Sequence, residues 1–290
     1  MMQLTEQSRQ AWVQFLNNQD NYGHARRVLH GTDIDAHVQA CWDSSRSTAK
    51  GIKADLPDIK VRRILEIGSS AGLNCYALQQ EFPDAEIIGI EPEHQAVNAA
   101  NAMHSKDQAR QPQFEQGFGE NLPLPDGTVD LIVCHTVIEH VNDVEAVVRE
   151  MARVLSLTGA IHLEAPNYRF PYEPHLGVFT IPLFGKKFVK FTALLQGQWS
   201  QLNFINHLKF VTPGSLQRLF KKYGFCWDNR AIDKLRAAAS GKAVIKKYRL
   251  IAKVLGVLQR IGVAPLIIAI IGTLGLYPSV LYTLRKQTHA

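Results

Sequence analysis

From residue 61 onward, short β-branched runs alternate with amphipathic stretches of helical length. Val61 to Gly68 reads as a strand, and Leu73 to Phe82 as a helix closed by Pro83-Asp84. A second strand follows from Glu86 to Ile90, then a helix over about 94–105. A strand at Asp130 to His135, a helix over about 142–155 and a strand at Ala160 to Ala165 continue the rhythm. Strands separated by helices of this length form βαβ units, hence a parallel sheet covered on both faces. Thr212-Pro213 predicts a helix start, because threonine caps well and proline lacks only an N–H that would be orphaned there. That helix runs to Lys222 and ends at Gly224, after which Phe225 to Ile232 reads as a strand. Residues 1–60 have no strong period and predict a few helices.

Residues 166–206 break this pattern. They hold Pro166, Pro171, Pro174 and Pro182 among many aromatics, including Tyr168, Tyr172, Phe179, Phe184, Phe191, Trp199 and Phe204. The segment is too long and too apolar for a simple connection. It reads either as a cap over an active site or as a helical excursion packed on the core.

The chain has 290 residues, 46% of them hydrophobic and 20% charged, which is the balance of a folded domain and not of a disordered one. Cys41, Cys75, Cys134 and Cys226 form no C-x-x-C pair, so they are expected to be reduced thiols with no zinc site. The opening Met1-Met2-Gln3-Leu4-Thr5-Glu6 carries no basic-then-apolar leader, and a cytoplasmic location is expected.

The net charge of +6 conceals an asymmetry. Residues 1–216 carry 18 Lys/Arg against 24 Asp/Glu, a net −6, whereas residues 217–290 carry 14 against 2, a net +12. Within the basic part, Ile261 to Leu284 is a run of 24 residues without a charge. That length permits a membrane span. Pro265, Gly272, Gly275 and Pro278 interrupt it, however, and basic residues flank both ends. Upstream, Lys242 to Lys253 mixes cations with aliphatics, a pattern that suits the surface of an anionic membrane. Nucleic acid is not favoured as a partner, because stacking aromatics are not interleaved with the cations. A buried helical hairpin or a dimer interface is the alternative.

The chemistry-bearing motif is Ile64-Leu65-Glu66-Ile67-Gly68-Ser69-Ser70-Ala71-Gly72, a strand entering a small-residue turn and then a helix. Small residues let the backbone approach a ligand, and the helix start offers free N–H groups. The next strand ends in Glu91, placed to accept from ribose hydroxyls. A dinucleotide site uses G-x-G-x-x-G around a pyrophosphate. Here Glu66 precedes the turn; it would repel a pyrophosphate but suits the cationic amino group of S-adenosylmethionine (SAM).

This set resembles the class I SAM-dependent methyltransferases over about residues 60–232, in particular the large methyltransferase subgroup with a V-I-E-H-V element. The resemblance implies an α/β, Rossmann-like fold with a seven-stranded, mostly parallel sheet. It implies SAM as cofactor, with Glu66, Gly68, Ser70 and Gly72 in the first motif and Glu91 as the ribose acid. Gly117-Phe118-Gly119-Glu120-Asn121-Leu122-Pro123 resembles the adenine loop. Phe118 stands where an aspartate is common and is expected to stack on adenine; Gly119 and Glu120 complete the loop, and Ser70 replaces the usual middle glycine. His135 is assigned to the same cofactor wall. The family fold also needs a last strand hairpinned at the sheet edge, and Ser279 to Leu284 is the run that fits. The apolar stretch before it is then an insertion that leaves and re-enters on one side.

His135-Thr136-Val137-Ile138-Glu139-His140-Val141 follows the fourth strand, whose carboxyl end faces the ligand crevice. Methyl transfer is an in-line displacement, so the protein orients the acceptor and removes its proton. His140 is the expected base, with Glu139 orienting it; the alternative makes His140 a core contact of the sulfonium region. Asn206-His207-Leu208-Lys209-Phe210 resembles an element of ubiquinone-pathway and small-RNA 2′-O-methyltransferases, where a histidine joins a Glu-His pair near a divalent metal. By that resemblance His207 is a third catalytic candidate. Thr136 replaces a glutamate of those relatives, and a hard cation short of a carboxylate is held weakly. No metal is assigned.

The expected organisation is a helical segment at 1–60, the SAM-binding domain at 61–232 with its cap at 166–206, a basic and apolar membrane-associating segment at 233–278, and the last strand and tail at 279–290. The expected acceptor is a lipid-linked saccharide or another apolar molecule, because Pro171-Tyr172-Glu173-Pro174-His175 resembles caps of glycan-assembly methyltransferases. An isoprenoid-quinone precursor is second, and an RNA 2′-O-methyltransferase or a non-catalytic SAM binder are further alternatives. The expected place is the inner face of the cell membrane, peripheral or monotopic.

Overall fold

Neighbouring residues on the first strands bury in opposite directions, as a period of two requires when both faces of a sheet are covered. On β1 (Arg63–Ile67) Ile64 packs with one hydrophobic cluster while Leu65 and Ile67 pack with the other. The computed structural model describes residues 4–18, 33–104, 110–181, 184–199, 202–242 and 249–287. Pro182 and residues 243–248 of the basic stretch lie outside them.

Among the described residues, helices α1 (Glu6–Asn18) and α2 (Ile34–Asp55) precede β1. The alternation then runs α3 (Leu73–Glu81), β2 (Glu86–Glu91), α4 (His94–Asn101), β3 (Gln113–Gln116), β4 (Val129–His135), α5 (Val144–Val154) and β5 (Leu155–Pro166). Helices α1 to α4 cover one face through Trp12, Val38, Ile52, Leu78 and Ala99. On the other face α5 contributes Val147, Val148 and Met151. Of these strands β3 gave no sequence signal, because Phe114 is its one buried residue and its neighbours are polar.

The segment after β5 forms a small ribbon, β6 (Tyr172–Glu173) with β7 (Val178–Phe179), then α6 (Gly185–Leu195) and the single turn α7 (Phe204–His207). Helix α8 (Pro213–Lys222) begins with the expected cap, Thr212 accepting from Ser215 N–H at 3.2 Å. The strand read over Phe225 to Ile232 is shorter. It stops as β8 (Phe225–Asn229), because the Asn229 side chain accepts from Ile232 N–H and opens α9 (Arg230–Ala239).

Helices α10 (Arg249–Arg260) and α11 (Ala264–Leu274) lead to β9 (Ser279–Lys286). The long uncharged run is therefore divided between an 11-residue helix, a left-handed Gly275 at φ 65° and a strand. No helix among the described residues is long and apolar enough to cross a membrane.

The seven strands are ordered β3-β2-β1-β4-β5-β9-β8. Strands β1 to β5 pair in parallel, and β9 is antiparallel to both β5 and β8. The last strand thus lies inside the sheet and leaves β8 at the edge, where an edge position was expected for β9 itself. The order reverses between β1 and β4, and a ligand crevice opens at such a switch point, beyond the carboxyl ends of the strands.

Asn167 fastens the carboxyl end of β5 to the chain that enters β9. Its buried amide donates to the carbonyls of Gly275 at 2.8 Å and Tyr277 at 2.6 Å, and its Oδ1 accepts from Arg169 N–H at 3.0 Å. Asn167→Ala removes these bonds and leaves two carbonyls unpaired, so it should lower unfolding free energy by about 2–3 kcal/mol in urea titrations.

Candidate active site

The turn after β1 is built from residues with positive φ: Gly68 at 72°, Ser70 at 47° and Gly72 at 79°. A Cβ on Gly68 would lie 2.3 Å from Val137 Cγ2, and one on Gly72 would lie 2.6 Å from Phe114 Cζ. Both glycines are therefore fixed by packing as well as by torsion. Ser70 accepts a strained conformation for a residue with a side chain. What holds it is Glu91, at the end of β2, whose Oε2 accepts from Ser70 N–H at 2.8 Å while Oε1 accepts from Glu93 N–H at 3.1 Å. Burial raises the pKa of Glu91 against the lowering effect of those two donors.

Glu66 lies behind this turn and not on the cavity wall. Its oxygens accept from Asn74 Nδ2 at 2.6 Å and the Cys75 thiol at 2.9 Å. Burial pushes its pKa up to about 7, helped by Glu91, although the two donors oppose the shift.

Gly68, Ser70, Glu91, Phe118, Gly119, Glu120, His135 and His140 all line one cleft of about 700 Å³. Phe118 is 55% exposed, with its ring free to meet a flat ligand. Gly119 is needed because a Cβ there would approach Ile67 Cγ2 to 2.9 Å. Glu120 accepts from the N–H groups of Asn142 at 2.8 Å and Asp143 at 3.3 Å, tying the adenine loop to the turn before α5.

At the end of β4, His135 is part of a buried hydrogen-bonded chain. Its Nε2 lies 2.7 Å from His162 Nδ1, and His162 Nε2 lies 3.0 Å from Asp55 Oδ2 at the end of α2. Burial alone would raise Asp55, but His162, Lys234 and Arg230 outweigh it and keep the carboxylate ionised. Burial, then His162 and Lys234, lower the pKa of His135 well below its ordinary value. The chain His135–His162–Asp55 thus links the cleft wall to the end of α2. A second cavity of about 190 Å³ lies behind it, sharing His135 and Glu164 with the main cleft.

Thr136 follows with φ 52°, a costly torsion for a β-branched residue; its N–H donates to Glu164 O at 2.8 Å. Beyond it the Glu139 side chain is 0% exposed, and neither of its oxygens accepts a hydrogen bond among the described residues. Glu139 Oε1 lies 3.7 Å from His140 Nε2 and 3.6 Å from His175 Nε2. His175 comes from the ribbon turn, and its Nδ1 is 2.7 Å from the buried Glu173. Burial pulls the His175 pKa down, but Glu139 and Glu173 outweigh it and raise the pKa to about 9. Phe204 packs on both imidazoles, with ring centroids 5.7 Å from His140 and 5.5 Å from His175.

His207 does not join this group. It is exposed at the end of α7, a single turn whose buried residues are Phe204 and Ile205. The element around it reaches Glu139 by backbone instead, Lys209 N–H donating to Glu139 O at 2.6 Å. His175, Glu173 and Phe204 were absent from the sequence-based site. Their one local signal is the Pro171-Tyr172-Glu173-Pro174-His175 run, where prolines bracket an acid two residues before a histidine. Since Pro174, His175 and Phe204 line the cleft, the 166–206 segment contributes directly to the site.

Residues 65–163 match a family described as a methyltransferase domain. An uncharacterized methyltransferase, YcgJ of Bacillus subtilis, is 33% identical over 117 residues, 40% of this chain and 45% of that one. A probable SAM-dependent methyltransferase of Mycobacterium tuberculosis, Rv3030, is 31% identical over 123 residues, 41% of this chain and 40% of its own. The matches thus span less than half of either relative. The crystal structure of YcgJ superposes with a TM-score of 0.51 at 20% identity, covering 83% of this chain and 100% of that one. Geranyl diphosphate C-methyltransferase of Streptomyces coelicolor, solved with Mg²⁺, geranyl diphosphate and S-adenosylhomocysteine, gives 0.52 at 12% identity, covering 83% and 78%. These likenesses are of fold. Residues 65–163 therefore match a methyltransferase domain in sequence, and the fold resembles that of YcgJ.

Because Glu66 binds more protons in the folded than in the unfolded protein, it costs stability as pH rises from about 4.5 to about 7. The cost is on the order of 3 kcal/mol above that window. Glu66→Gln should remove this slope, so the wild type should lose unfolding free energy relative to the variant as urea titrations move from acid to neutral pH.

Proposed function

We propose that the protein is a SAM-dependent O-methyltransferase that works at an anionic membrane surface on a lipid-linked saccharide. The observation that carries this reading is that the loop held by Glu91 and the imidazole of His140 open into the same cleft. SAM supplies a sulfonium methyl group. The cofactor half of the cleft, Gly68 to Ser70 with Glu91 and Phe118, holds the nucleoside. The opposite half, lined by His140 and His175, receives an acceptor hydroxyl, and His140 takes up its proton.

The membrane part rests on what the surface exposes. The cap that lends His175 and Phe204 to the cleft also exposes Phe179, Phe184, Phe191, Leu195 and Trp199. Helix α10 exposes Val254 and Val257 beside the cations Lys253 and Arg260, Ile261 follows in the turn, and α11 exposes Leu266, Ile270 and Leu274. An apolar face fringed by cations inserts shallowly into anionic headgroups. An isoprenoid-quinone precursor would use the same surface. The net negative charge of residues 1–216 disfavours RNA.

Three measurements test this. Glu91→Ala should weaken SAM binding about 10- to 100-fold in calorimetry, the loss of charge-assisted hydrogen bonds; unchanged affinity would remove the ribose assignment. The triple variant Val257→Gln, Leu266→Gln and Ile270→Gln touches no buried core residue and should release the protein from anionic liposomes. Sedimentation with the liposomes at wild-type levels would sink the membrane claim. Incubating membrane extracts with methyl-labelled SAM then separates the acceptors, with label in lipid-linked glycan expected and label in quinone precursors supporting the alternative.

A further inference from the structure

A fully buried carboxylate whose oxygens accept no hydrogen bond is an expensive feature unless a cation stands beside it. Glu139 is in that position, and the atoms nearest its Oε1 are two imidazole nitrogens, at 3.7 Å on His140 and 3.6 Å on His175. The three side chains bring one ligand atom each within 4.8 Å of one another. Around a single tetrahedral ion with bonds of about 2.1 Å, ligand atoms stand about 3.4 Å apart. The two separations from Glu139 exceed that arrangement by only a few tenths of an ångström, and the third is bounded by 4.8 Å.

The surroundings match a metal ligand set as well. A ligating histidine usually gives its second ring N–H to a carboxylate, which fixes the ring and its tautomer. His175 does this: Nδ1 faces Glu173 Oε1 at 2.7 Å, leaving Nε2 turned towards Glu139. Glu173 is itself held, its Oε2 accepting from Leu176 N–H at 2.6 Å. His140, His175, Pro174 and Phe204 also line the cleft, so a fourth coordination position opens towards the acceptor half.

We propose that Glu139, His140 and His175 form a binding site for a divalent transition metal, with Glu173 as the carboxylate that orients His175. Two imidazoles and one carboxylate suit Zn²⁺, Mn²⁺ or Fe²⁺ and suit Mg²⁺ or Ca²⁺ poorly. The site differs from the one that the resemblance in the His207 element implies, because its second histidine comes from the β6–β7 turn. The proposal deepens the methyltransferase reading by giving the acceptor a place to bind. An acceptor hydroxyl ligated there would lose its proton more readily, to cleft water in place of His140. Its oxygen then forms a bond to the methyl carbon as the C–S bond breaks, and sulfur keeps that electron pair as a thioether.

The test uses the full chain without an affinity tag, stripped with a chelator and titrated with Zn²⁺ in calorimetry and with Co²⁺ in visible absorption. One ion per chain is expected, with the Co²⁺ band intensity of a four- or five-coordinate site. Glu139→Gln and His175→Ala should each weaken binding at least tenfold, and Glu173→Gln should weaken it about 10- to 100-fold with the stoichiometry kept. Thermal melts confirm that the variants fold, and the near-isosteric Glu139→Gln keeps the test meaningful if His175→Ala does not. Absence of stoichiometric binding in the wild type, or equal binding in Glu139→Gln, overturns the site. Glu91→Ala should lose SAM yet keep the metal, so failure of the cofactor reading and failure of this one give different results.

Discussion

An ionisable side chain taken wholly out of water must find compensation nearby, and in this protein Glu139 sets that requirement for the whole acceptor half. Its place is fixed by the chain on both sides. The turn after β4 carries it inward, and Lys209 N–H holds its carbonyl from the opposite segment. Only cationic or metal-bound partners compensate such a group well. The fold supplies His140 from the next position in sequence and His175 from a ribbon 35 residues further on. Phe204 closes over both rings and keeps the cluster dry on one side. The cofactor half obeys a second constraint of the same kind, because a turn with three positive φ angles stays in place when the Glu91 carboxylate takes the Ser70 N–H.

Most of the sheet was legible because parallel strands covered on both faces must be apolar and nearly continuous. β1, β2, β4 and the helices between them announce themselves in that way. β3 does not, since one buried phenylalanine in four residues carries no period. The end of β8 was misplaced because Asn229 interrupts an otherwise strand-like run with a helix cap. The position of β9 inside the sheet could not be read from its own residues, as pairing partners are a property of the whole topology.

The two halves of the site differ in the same respect. Residues of the cofactor wall lie at the ends of successive strands, where sequence order and spatial order coincide. Six of them reach the cleft with Glu91: Gly68, Ser70, Phe118, Gly119, Glu120 and His135. His175 could not be placed beside Glu139 from sequence, because that contact depends on how the ribbon folds back over the sheet. His207, which the sequence did single out, ends a one-turn helix facing solvent, while the Glu173–His175 pair is tucked inside.

Asn167 has a mechanical consequence. The residue before it, Pro166, lines the cleft, as do Pro278 and Ser279 on the chain it grips. The chain leading into β9 follows directly from α11, and two short hydrogen bonds to Gly275 and Tyr277 join it rigidly to the end of β5. Asn167 thus makes one joint of three parts of the molecule: the end of α11, the start of β9 and the rim of the cleft.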